Sequence, residues 1–308
     1  MRSLTALALL IAAPALARDL SPVQTHYAVI PEAGGAEVQS DWTEPNGIVR
    51  HLDFHLPAAA LPQSTRRITP PPEAEVQRAG MAAAQAASRE APPQVKLTLI
   101  PLPDGIDVHA SGPAGIDLSP PIQRVMAAYR AAADQAVLAA GFRFRQPGLA
   151  EPDFPRIVAD YGRVLHQSAA EIGGQMARMP MRERVQLLNG FLQSIPYETL
   201  TNRGRSQMRT PAGVLADDRG DCDAKSLTFA ALLATIAPDL STALIYDEEH
   251  AFLGVTLPQQ PGDAGFSVGG KTYVAVEPVG PGWYPLGQLS PKSQSILASG
   301  KAHVAVLH

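Results

Sequence analysis

The stretch that decides the fold runs Gly220-Asp221-Cys222-Asp223-Ala224-Lys225-Ser226-Leu227-Thr228-Phe229-Ala230-Ala231-Leu232-Leu233-Ala234-Thr235-Ile236. After the Gly-Asp turn it is apolar nearly all the way round a helical wheel, and a helix of that kind is buried in the centre of a domain. Cys222, Ser226, Phe229, Leu233 and Ile236 recur at spacings of four and three, so the sulfur lies on the stripe that faces the rest of the domain. The thiol also falls in the first turn, where unpaired backbone N–H groups and the positive end of the helix dipole favour thiolate. Asp221 and Asp223 flank it and push the other way, so a nearby imidazolium is required to hold the thiolate.

Working outward, three runs of strand character follow this helix, at residues 241–246, 250–257 and 272–279, with Asp247-Glu248-Glu249 as a turn. Their β-branched content predicts an antiparallel sheet packed on the helix. Upstream the pattern is helical. One helix is predicted from Ser119, as cap, to a stop at Gly141, with Pro120 at its first position. A second is predicted over 154–172, carrying Ile157, Val158, Tyr161 and Leu165 on one stripe. A third, over 181–194, carries Val185, Leu188, Phe191 and Leu192 and is ended by Ile195-Pro196, because the residue before proline is driven out of the α region. Helices first and strands afterwards give an α+β class: a helical segment, then a buried cysteine-bearing helix packed on an antiparallel sheet.

The N-terminal region, 18–118, is predicted to contain β-structure. Short strands fall at 26–30 and 48–52, and a hairpin at 94–109. Between them residues 57–93 are rich in Pro and Ala, offer few large side chains, and read as a linker with one transient helix. The remainder, 119–308, holds the helical segment and the domain built on the Cys222 helix.

Composition narrows the function. With 308 residues, 45% hydrophobic and 18% charged, the chain can bury one sizeable core or two modest ones. A net charge of -4, with the 25 basic residues scattered, gives no footprint for a polyanion, so nucleic acid is not an expected partner. Residues 1–17 read as a Sec-type signal peptide: Arg2, an apolar run over 4–13, and Ala15-Leu16-Ala17 for cleavage after Ala17. The mature chain would begin at Arg18, in the periplasm or secreted. It has no other apolar run near 18 residues, so no membrane span is expected in it. In an oxidising compartment cysteines normally come in pairs, yet Cys222 is the single cysteine, which leaves inert burial, intermolecular pairing or chemistry.

A nucleophilic thiol is usually served by histidine. Of His26, His51, His55, His109, His166, His250, His303 and His308, only His250 lies on a predicted strand shortly downstream, 250 − 222 = 28 residues on. Two acids follow it. Asp263 sits in the turn-like Pro261-Gly262-Asp263, whereas Glu277 interrupts the strand after Tyr273-Val274-Ala275-Val276. A carboxylate among strand apolars needs a partner if buried, and holding an imidazole in one tautomer supplies it. Strand alternation would put Glu277 on the face of Tyr273 and Ala275. Each residue has a plainer reading: a core thiol for Cys222, a strand-edge histidine for His250, an ion pair with Lys271 or Lys225 for Glu277. No metal site is expected, since one cysteine and dispersed histidines lack zinc spacing and Asp217-Asp218 lacks the further spaced oxygens of a calcium loop. No Gly-rich phosphate loop appears, no cofactor is implied, and Trp283-Tyr284 reads as packing.

Taken together, Gly220-Asp221-Cys222-Asp223-Ala224-Lys225-Ser226-Leu227, Ala231-Leu232-Leu233, His250-Ala251-Phe252, and Val276-Glu277-Pro278 with Gly282-Trp283 resemble the transglutaminase-like superfamily, in its bacterial cysteine-peptidase type. Ile195-Pro196-Tyr197 and Thr210-Pro211 are similar to the segment that leads into such domains. The resemblance spans residues 180–285. It implies a papain-like or transglutaminase-like core in which Cys222 is the nucleophile, His250 its base and Glu277 the group that orients the base. It also implies a hydrolase that cuts peptide or amide bonds through a thioester, with a protein or peptide as substrate, and the signal-peptide reading makes it an exported one. The same triad would serve a transamidase, and a non-catalytic binding or scaffold protein would keep the core without the chemistry. Three features depart from the family pattern: Glu277 where many relatives carry Asp, Phe252 where Trp often follows the histidine, and a short Cys-to-His spacing.

Overall fold

A computed structural model describes residues 22–103, 105–146, 149–199, 207–280 and 282–308. The segment predicted as a signal peptide, with its predicted cleavage after Ala17, lies outside the described residues. Strands β1 (Val23–Glu32), β2 (Gly35–Thr43) and β3 (Val49–Pro57) form an antiparallel sheet in that order. The predicted stretch at 26–30 falls in β1 and that at 48–52 overlaps the start of β3, while the central β2 is not among the predicted strands. Its alternation is carried by Ala36, Val38, Ser40 and Trp42, all buried, and two of these are too small or too polar to register as a strand face.

Residues 57–93 depart from the linker reading. They contain the short helix α1 (Leu61–Ser64), the strand β4 (Arg67–Ile68) and the 16-residue helix α2 (Glu73–Ser88). Alanine is the strongest helix former, and small residues permit close approach: the Tyr129 ring lies 2.6 Å from where a Cβ on Gly80 would stand. The partner is α3 (Ser119–Ala139), and the predicted hairpin, β5 (Lys96–Leu102) with β6 (Gly105–Ser111), completes this unit. Ala84, Ile106, Val108 and Val125 form its small core. Ser119 is the first helical residue rather than the cap, which is Leu118.

After the hairpin β7 (Phe142–Gln146) and β8 (Leu149–Pro152), the predicted helix 154–172 is two helices, α4 (Phe154–Val164) and α5 (His166–Gln175). Leu165 breaks them at φ −97°, ψ 11° while its side chain stays in the core. Helix α6 (Met181–Ser194) ends at an extended Ile195, as the following proline requires. Strand β9 (Met208–Arg209) pairs with β4, and α7 (Pro211–Asp217) begins on Thr210, whose hydroxyl accepts from Gly213 N.

Helix α8 (Cys222–Ile236) is buried along most of its length. The strands β10 (Thr242–Tyr246), β11 (Ala251–Val255), β12 (Gly265–Val268) and β13 (Lys271–Val276), helix α9 (Pro291–Ser299) and strand β14 (His303–Val306) follow. The sheet they form has the order β12-β13-β11-β10-β14, antiparallel throughout, so the α+β class holds. Both faces are covered. Leu244, Ala251, Leu253, Val274 and Val276 join α8 in the main core, whereas Ile245, Phe252 and Ala275 pack with Leu289 and Ile296 on the α9 side. The three-stranded sheet closes on the same main core through Trp42 and Phe54, whose rings lie 5.8 and 6.0 Å from Phe191 of α6. Among the described residues no helix is long and apolar enough to cross a membrane.

Candidate active site

Cys222 is the first residue of α8 and is fully buried. Asp221 caps the helix, its Oδ1 accepting from Ala224 N at 2.8 Å, so a carboxylate and the sulfur share the opening turn. The turn is stitched to the segment after α6. Gly220 N donates to Pro196 O at 3.2 Å, Glu198 N donates to Gly220 O at 3.0 Å, and Tyr197 and Gly220 form a parallel bridge. Gly220 is needed there because a Cβ would come within 3.1 Å of Lys225 Cγ and 3.0 Å of Val214.

Lys225, one turn into α8, is fully buried, and its Nζ donates to Ile195 O at 2.7 Å. Burial drives its pKa down to about 7, against the opposing pull of Asp218, Cys222 and Asp221. A protonated Lys225 is a cation close enough to the thiol to favour thiolate, which offsets part of the acidic flank. The carboxylates of the following α7 turn are engaged: Asp217 with Arg209, and Asp218, in the left-handed region at φ 50°, with Gln24 Nε2 at 2.7 Å. Among the described residues no group of three or more His, Cys, Asp and Glu is placed to hold a metal ion.

His250 stands immediately before β11, in a turn closed by Asp247, whose Oδ1 accepts from His250 N at 2.8 Å. Its Nε2 lies 3.0 Å from Glu277 Oε1. The histidine side chain is 12% exposed and the glutamate 1%. Glu277 pairs with neither lysine: Lys271 reaches Ser241 and Lys225 reaches Ile195 O. Asp263 is held by Arg182 instead, and the guanidinium overcomes the upward push of burial to keep the carboxyl below its ordinary range. The two-residue alternation is visible here. Phe252, two residues after His250, and Ala275, two before Glu277, both face α9, and Glu277 reaches Ser293 of that helix. Ala251, next to His250, points to the opposite face of the sheet, into the core that holds Cys222, where α8 lies against β11.

Two further contributors were not read from the sequence. Ser293, fully buried, donates its hydroxyl to Glu277 Oε2 and lies 3.0 Å from His250 Nε2. Its signal was present, because Ser290-Pro291-x-Ser293 is a cap with proline at the first helical position, and Ser290 Oγ does accept from Ser293 N at 3.1 Å. The second is a polar stripe on α6 formed by Arg182, Gln186, Asn189 and Gln193, at spacings of four, three and four. Gln186 Oε1 accepts from Leu286 N at 2.6 Å, Asn189 Nδ2 donates to Tyr284 O at 2.9 Å, and Gln193 Nε2 donates to Glu277 O at 2.5 Å. This stripe grips the segment that carries Glu277. Trp283, as predicted, is packing: its ring meets α6 at Gly190, 3.2 Å from where a Cβ would be.

A cavity of about 980 Å³ lies elsewhere, between α2, α3 and the β5–β6 hairpin, with Val76, Ile106, Met126 and Val137 among its walls. Comparison with protein-family models, with curated proteins and with solved structures finds no match.

Proposed function

We propose that this chain is an exported cysteine hydrolase of the transglutaminase-like class, acting on peptide or amide bonds in the periplasm or outside the cell. The observation that carries the reading is the His250–Glu277 bond of 3.0 Å, buried at the rim of the sheet on which the Cys222 helix packs. With Nε2 committed to the carboxylate, Nδ1 is the nitrogen left to act as base. In the proposed cycle the Cys222 thiol gives its proton to that nitrogen and the sulfur attacks the carbonyl carbon. The C–N bond breaks as the imidazolium returns the proton to the leaving amine, and water then cleaves the thioester to release acid and free thiol. Glu277 supports the imidazolium through its bond to Nε2.

One observation favours a second reading, a binding or scaffold protein with an inert core thiol: Cys222 has no exposed surface. Alkylation by iodoacetamide at mildly acidic pH separates the two. The hydrolase reading expects native protein to be labelled at Cys222 about as fast as a free thiol at its own pKa, and a peptide panel to be cleaved by wild type but not by Cys222→Ala. Labelling only after denaturation, with no cleavage by either protein, would sink it.

A further inference from the structure

The hydroxyl of Ser293 has one proton and two lone pairs, and the structure accounts for all three. Its shortest bond runs to Glu277 Oε2, and a carboxylate can only accept, so the Ser293 proton lies there. Ser290 Oγ approaches at 2.9 Å as a donor, which occupies one lone pair. The remaining contact, His250 Nε2 at 3.0 Å, must then donate to Ser293. Glu277 Oε1, 3.0 Å from the same nitrogen, makes the same demand. A proton on Nδ1 instead would leave two oxygens and a ring lone pair facing one another in a buried site, at the cost of unmade hydrogen bonds.

We infer that Ser293 is a positioning residue for His250: with Glu277 it forms a two-oxygen cradle that fixes the proton on Nε2 and leaves Nδ1 as the basic nitrogen. Helix α9 is the device that holds it there. Ser290 caps the helix, Ser293 N is bound to that cap at 3.1 Å, and Ser290 N points at Glu277 Oε2 at 3.4 Å. The start of α9 therefore fixes both the hydroxyl and the far oxygen of the carboxylate. The geometry stands independently, while its consequence for Cys222 rests on the hydrolase reading.

Nitrogen-resolved NMR of the neutral His250 ring in the full chain tests this directly. Wild type is expected to show a single Nε2-protonated ring. Ser293→Ala is expected to show both tautomers, and Ser293→Thr, which keeps the hydroxyl, to restore the single form. In parallel, iodoacetamide labelling of Cys222 near pH 6 should slow about tenfold in Ser293→Ala and stay within about threefold in Ser293→Thr, the effect of losing a hydrogen bond to a charged group. An Nδ1-protonated ring in wild type overturns the inference, even if Ser293→Ala fails to fold. A folded Ser293→Ala with an unchanged tautomer and labelling rate overturns it as well. Should the tautomer respond while wild-type Cys222 resists labelling, Ser293 keeps its role and it is the hydrolase reading that falls.

Discussion

His51 on β3 and His250 before β11 each set a ring nitrogen on a carboxylate, and little else about them is alike. His51 bridges Asp41 and Asp53, with Nε2 2.7 Å from Asp53 Oδ2, on the outer face of the three-stranded sheet, and its side chain is 56% exposed. His250 meets Glu277 at a rim of the five-stranded sheet, whose two faces are both covered, and a serine, a helix start and a glutamine amide complete the surroundings. The same pair of functional groups is a surface ornament in one place and a fixed assembly in the other. What differs is access of water. An exposed pair is screened and contributes about 0–1 kcal/mol, whereas removing one member of a buried, hydrogen-bonded pair costs about 3–5 kcal/mol because the others lose their partner.

The largest effect is therefore expected from Glu277→Ala. It strips the acceptor from Ser293 Oγ, from Ser290 N and from His250 Nε2 at once, and should lower stability by about 3 kcal/mol in urea unfolding. A loss under about 1 kcal/mol would place this network on a par with the surface pair and dissolve the contrast.

A second prediction sharpens the role of burial with a different group. Lys225 has its folded pKa depressed to about 7, so below that value both folded and unfolded chains are protonated and the full cost of burying the cation is present. As pH rises from about 7 towards the ordinary lysine range, the unfolded chain binds more protons and wild-type stability should climb, by at most about 1.4 kcal/mol per unit. Lys225→Met should lack this rise. Equal pH slopes for the two proteins between pH 7 and 9 would show that Lys225 is not desolvated.

The smallest effect belongs to His51→Gln. The hydrogen bonds that His51 donates to Asp41 and then Asp53 raise its pKa, so its contribution is complete below about 6.5 and is lost as pH climbs through the folded value. Urea unfolding should show a deficit of about a few tenths of a kcal/mol near pH 5.5, after allowance for solvent screening, and none by about pH 9. A deficit that grows with pH would reverse the assignment.

How much of this was legible follows from range. The α8 helix, with its cap, its apolar wrap and its first-turn thiol, is local information and stands in residues 220–236. The pairing of His250 with Glu277 was reached by elimination, since a carboxylate inside a strand needs a partner, and the chain offered one suitable histidine. Helix α2 was underread because alanine contributes no volume to a core, although it lets Gly80 admit the Tyr129 ring. The break at Leu165 was missed because an uninterrupted apolar stripe continues across it. Ser293 lies beyond residues 180–285, the span that carries the family resemblance. The α6 stripe mixes amides into an apolar face, and its meaning appears only with the backbone carbonyls of residues 277 and 284 beside it.

The shell around Glu277 also has a kinetic side. Its partners lie 13 and 16 residues away along the chain at Ser290 and Ser293, 27 away at His250 and 84 away at Gln193. Loop-closure entropy grows with separation, so the contact with α9 is the cheapest to make and the tether to α6 the most expensive. During refolding the Glu277 carboxylate should therefore acquire its serine before its histidine, and the Glu277 backbone carbonyl should gain its Gln193 clamp last. The paired ring would exist for a time on a segment still free to swing, and rigidity, more than connectivity, would be the final property that this corner of the molecule gains.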